Sequence, residues 1–166
     1  MIDEPIGSSM LLTRTALYRA SLLTDNVGIR LCLAAMLVMP SALVFLSPLS
    51  GLLDVAADDL LAFGPTHDGS WSSALAGSAL CVGFIGAWMR ILSPGSRLVR
   101  RPAQRRFVLA ALSVGTLTLA AALALRLATS SAGDNAGWLL LAAFAAHLFL
   151  LAGTFGQPRP DRLNRL

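Results

Sequence analysis

The chain has 166 residues, 55% of them hydrophobic and only 13% charged, with a formal net charge of +4. Soluble domains carry about 25% charged residues and disordered chains are more polar still, so a soluble fold is nearly excluded, disorder is excluded, and a polytopic membrane protein remains, which the runs below make an all-α integral membrane protein. All 13 basic residues are arginine, and the pI near 10.4 reads as the basic excess of a membrane protein's cytoplasmic segments rather than as a sign of a nucleic-acid partner.

The first 30 residues read as a cytoplasmic N-terminal segment ahead of any long apolar run. At 100° per residue Leu11, Tyr18 and Leu22 share a helical face, but Arg19 falls beside Leu12 and Leu23, so the amphipathic pattern is imperfect. Two readings stay open: an interfacial helix with snorkelling arginines, and a flexible tail. Thr24-Asp25-Asn26 reads as an N-cap for the first span. The opening Asp3 and Glu4, with an apolar run that starts only at residue 31, predict an uncleaved anchor rather than a signal peptide.

Four uncharged runs reach the about 20 residues that a bilayer crossing needs. They are Leu31 to Leu53, Gly69 to Met89, Phe107 to Leu125 and Asn135 to Pro158. Lipid offers backbone polar groups no outside partner, so each run should be helical, near 31–50, 70–90, 106–126 and 135–156. Together they predict a four-helix transmembrane domain over 31–158 in two antiparallel hairpins, with a basic tail over 159–166. Pro40 predicts a kink in the first span, and Pro48-Leu49-Ser50 its end. Beyond it Leu52, Leu53, Ala56, Leu60 and Phe63 lie on one arc and Asp54 and Asp58 on the other, until Gly64-Pro65 stops the pattern. That predicts a short amphipathic helix in the first outer loop, whose acids read as a solvated face rather than a metal site. His67, in the same loop, reads as solvated.

The second run carries a stripe of small residues, Ala76, Ala79, Gly83, Gly86 and Ala87, which predicts close packing against another helix of this chain or of a partner. Trp71 and Trp88 bracket it, 17 residues apart. At the helical rise that is about 25 Å, which suits a pair of interfacial anchors. Trp138, at the outer start of the fourth run, is a third anchor. Cys32 and Cys81 fall at different depths and read as small packing residues, not a disulfide.

Between the second and third runs, Arg90 to Arg106 hold six arginines. Arg97, Arg100, Arg101, Arg105 and Arg106 are candidates for contact with anionic lipid or a partner, set against the simpler role of fixing topology. No aromatic residue interleaves with them as a nucleic-acid platform requires. Arg126 ends the third run, residues 127–133 make a short turn, and Asp134-Asn135 caps the fourth. Twelve arginines against four acids leave +8 on one side; one arginine against five acids leaves −4 on the other. The positive-inside rule then puts both termini in the cytoplasm, with a bacterial inner membrane as the expected location.

His147 is the single ionisable side chain deep in a span, nine residues beyond Trp138 and so about 13 Å along the helix, near the bilayer centre. Haem ligation, a proton relay or a quinone contact would each use such a group. No second membrane histidine or buried acid is available to share that chemistry, so the expectation is a neutral, structural histidine bonded to Ser or Thr of the third span. No phosphate loop, HExxH, Gly-x-Ser-x-Gly or paired intramembrane carboxylate occurs. The expected function is therefore a non-enzymatic subunit of a larger membrane complex, with no cofactor and with other integral membrane proteins as partners. A self-associating transporter lined by Ser72, Ser73, Ser78, Ser113, Thr116, Thr118 and His147, or a redox subunit using His147, are the alternatives.

Overall fold

Asn26 sets the first boundary of the fold. Its side-chain Oδ1 accepts the backbone N–H groups of Gly28 at 2.9 Å and Ile29 at 3.4 Å, two donors that a helix start would otherwise leave unpaired. The cap therefore divides a helix α1 (Ile6–Asp25) from α2 (Val27–Leu53). The computed structural model describes residues 6–53, 71–129 and 135–157. Within them follow α3 (Trp71–Leu92), a six-residue α4 (Gly95–Arg100), α5 (Pro102–Thr129) and α6 (Asn135–Phe155), and no strand. Pro102 opens α5 at the position where a missing N–H costs nothing.

Four helices are long and apolar enough to cross a membrane, over Val27–Phe45, Leu75–Leu92, Pro102–Ala128 and Gly137–Phe155. No more than 39% of any of these windows is buried inside the molecule. Leu31, Met39, Leu117, Leu127, Leu141 and Leu148 all face outward. Such an apolar exterior is far larger than water-soluble monomers tolerate and fits a lipid surround.

Helices α2, α3, α5 and α6 close a ring in that order, α3 and α6 also touch across it, and α1 lies outside against α6 and α2. Leu33, Leu37, Leu80, Phe84, Leu112, Leu119 and Leu150 fill the centre. The contacts of α3 and α5 run in opposite senses, Gly83 meeting Gly115 and Gly86 meeting Ala111.

One expectation is corrected here. The first helix does not stop at Pro48-Leu49-Ser50: its apolar window ends at Phe45, but α2 runs on to Leu53. A proline removes one donor and so strands one carbonyl, whereas ending a helix strands four, and in an apolar surround continuation is cheaper. Of the two readings left open for the N-terminal segment, the helix is the one found, twenty residues long and packed on α6. The expected outer-loop amphipathic helix, with Asp54, Asp58, His67 and Gly64-Pro65, lies beyond α2 and outside the described residues, as do Asp134 and the basic tail.

Candidate functional site

The α3–α5 crossing is built on missing side chains. A Cβ placed on Gly83 would lie 2.5 Å from the Cα of Gly115, and one on Gly86 would lie 2.6 Å from the Cβ of Ala111. Neither distance is accessible to real atoms, so only glycine lets the two backbones meet at this depth. Of the predicted stripe, Gly83, Gly86 and Ala87 are buried, while Ala76 and Ala79 are half-buried toward the N-terminal end of α3.

His147 of α6 fits into the notch these glycines leave. A Cβ on Gly115 would come within 3.0 Å of its Cδ2 and 3.2 Å of its Nε2. The ring is fully buried and stands edge-on to Phe84, with centroids 5.0 Å apart and planes at 88°. Nδ1 donates to the carbonyl of Ala143, one turn back on the same helix, at 2.9 Å. Nε2 is turned toward the Gly83–Gly115 contact, where the Gly83 backbone is a polar neighbour but no hydrogen bond of ordinary geometry forms.

The expected Ser or Thr partner from the third span is therefore corrected. Thr116 and Thr118 donate instead to Leu112 at 2.7 Å and Val114 at 2.9 Å, carbonyls of their own helix. A hydroxyl on a helix reaches the carbonyl one turn back without moving, and the glycine notch leaves the imidazole no side chain to bond. Ser78 and Thr154 likewise turn onto the carbonyls of Leu75 and Leu150.

Of the three tryptophans, Trp138 is largely exposed. Trp88 is half-buried, and its Nε1 donates to Ser41 Oγ of α2 at 3.2 Å, so it ties two helices together. The side chain of Trp71 lies outside the described residues. Cys32 is exposed and Cys81 half-buried, both free thiols.

A polar cluster that sequence reasoning missed occupies the arginine-rich end. Arg90 is completely buried. Its guanidinium donates to Asp25 Oδ1 at 2.9 Å, Thr24 Oγ1 at 2.8 Å and the Ser93 carbonyl at 3.1 Å. The same Asp25 oxygen accepts the Gly95 backbone N–H at 3.0 Å. Asp25, expected at an N-cap, thus joins α1 to the α3–α4 turn, and Asn26 alone caps α2. Gly95 sits between the side-chain ends of Asp25 and Gln157, and a larger residue there would have to displace one or both. One signal pointed to Arg90: it continues the buried face of α3 at the spacing Gly83, Ala87, Arg90.

Two more arginines turn inward at this end. Arg30 donates to the carbonyl of Ile91, in the last turn of α3. Arg105 donates to the carbonyls of Thr154 at 3.4 Å and Gln157 at 3.1 Å, where α6 ends. Both place a cation on carbonyls that the helix leaves unpaired, where the helix dipole is negative. Arg105 therefore stands apart from its predicted group, since Arg97, Arg100, Arg101 and Arg106 all point outward.

Among the described residues no three His, Cys, Asp or Glu side chains gather as a metal site would require. Comparison with protein-family models, curated proteins and solved structures finds no match for this chain.

Proposed function

We propose that this chain is a non-enzymatic accessory subunit of a larger bacterial inner-membrane complex. Its four spans form two antiparallel hairpins with both termini in the cytoplasm, and it acts by presenting helix surfaces to other integral membrane proteins. The observation that supports this best is the use made of polar groups within the spans. Thr116, Thr118, Ser78 and Thr154 are turned onto carbonyls of their own helices, and His147 fills a notch between two glycines. A transporter would have such groups line a path, and a haem ligand would need room beside Nε2 that the α3–α5 contact now takes up.

Purification in a mild detergent followed by mass spectrometry tests the reading. The expected result is a set of other integral membrane proteins recovered with the chain in fixed proportion. Recovery of the chain alone, as a monomer or as a self-assembled ring, would overturn it.

A further inference from the structure

Ten arginines fall among the described residues, and they meet a single acid there, Asp25. Its carboxylate is already engaged by Arg90 and by the Gly95 N–H. Arg30, Arg90 and Arg105 are directed onto helix ends. Of the other seven, Arg14 and Arg19 lie on α1 and Arg126 in the last turn of α5, while Arg97, Arg100, Arg101 and Arg106 are exposed within ten residues of sequence. Arg97 and Arg100 are three apart on α4 and share a face, and Arg101 follows as its C-cap. Like charges at this spacing repel, and nothing acidic on the described surface relieves them.

The segment is also held in place. Leu98 and Gly95 are buried beneath it, so α4 keeps a fixed side toward the bundle and its arginines face away. Two exposed apolar side chains flank the patch, Leu92 at the end of α3 and Phe107 beside Arg106. Cations rimmed by outward apolar groups suit the boundary between headgroups and acyl chains; an acidic soluble protein would leave Leu92 and Phe107 in water.

We propose that Arg97, Arg100, Arg101 and Arg106 form a binding surface for the phosphate-bearing headgroups of anionic phospholipid. This rests on the membrane placement above, and it adds a ligand class and named residues to it. Four guanidinium groups on a fixed segment bind such headgroups with little ordering cost, because packing beneath has already oriented the segment.

The test uses the full chain in nanodiscs of phosphatidylcholine with and without phosphatidylglycerol, with native mass spectrometry counting the lipids retained. The expected result is preferential retention of phosphatidylglycerol, weakening by roughly five-fold for each arginine replaced by glutamine in R97Q, R100Q, R101Q and R106Q. The four lysine replacements should keep the preference, since the surface potential acts on charge. No preference in the wild type overturns the proposal, as does a four-glutamine variant that retains lipid like the wild type. An acidic protein held at this face in place of the lipid also overturns it. Should the glutamine variant fail to fold, a salt titration of the wild type decides. A preference that survives about 1 M salt, where the Debye length is about 3 Å, is not this electrostatic site. Release of the chain from membranes by carbonate would instead refute the membrane placement, so the two failures are distinguishable.

Discussion

Arg90 is a charge held inside an apolar bundle by one carboxylate, one hydroxyl and one carbonyl. Removing the compensating charge while keeping the shape is the informative change. Asp25→Asn should destabilise the protein by about 2–3 kcal/mol, below the range for a fully buried pair because the Asp25 side chain is 39% exposed. Replacing Arg90 by Met in the same chain should recover part of that loss, since no stranded cation remains; thermal unfolding in detergent of the single and double variants measures the coupling. His147 makes a different demand. Glutamine can keep a donor near Ala143 and much of the volume, so His147→Gln should cost about 1 kcal/mol. His147→Ala, which empties the notch beside Gly115 and Phe84, should cost about 2–4 kcal/mol. Loss of an activity in both variants with assembly intact would instead mark haem or proton chemistry. The sequence made His147 conspicuous as the one ionisable group deep in a span, but not its neighbours. Its partners are a backbone carbonyl and two glycines, groups that leave no distinctive residue type to read. Arg90 was hidden for the opposite reason: among six clustered arginines, a buried one is spelled the same as an exposed one.

The glycines of α3 separate into those that packing requires and one that it does not. Gly83 faces the Gly115 backbone, whereas a Cβ on Gly77 would meet nothing within 4 Å. Gly83→Leu should therefore push α5 away and lower the yield of assembled protein several-fold, since no rotamer avoids the clash. Gly77→Ala, in the same helix, should be neutral or stabilise by about 0.5–1 kcal/mol through lost backbone entropy of the unfolded chain. Equal behaviour of the two variants in size-exclusion profiles and melting would contradict this account. Apolar runs between charges located the four long helices, because a bilayer-length run has few other ways to satisfy its backbone. Their ends were less legible. Val27 begins α2 four residues before the run, because Asn26 caps it, and Pro102 begins α5 with Arg105 and Arg106 inside its first turns. The six-residue α4 has no periodicity long enough to register and exists because Leu98 packs beneath it.

The distribution of arginines makes a topological demand on the molecule. Reporter fusions at Asp68 and Leu166 should report opposite sides of the membrane, and a shared side would refute the twelve-to-one asymmetry as its guide. The seating of α1 has a further consequence, for the order in which the molecule is made. Thr24 presses on Gly153 and the Leu17 carbonyl on Gly156, so the helix that emerges from the ribosome ahead of the four spans waits for the last of them before it finds its seat. Synthesis proceeds from the N-terminus, so α1 completes its docking only after α6 has been made. A nascent chain arrested before α6 should leave Leu17→Cys open to a maleimide, in a background lacking Cys32 and Cys81, and release of the full chain should close it. Labelling that is equally slow in both would mean that α1 is seated by something other than α6.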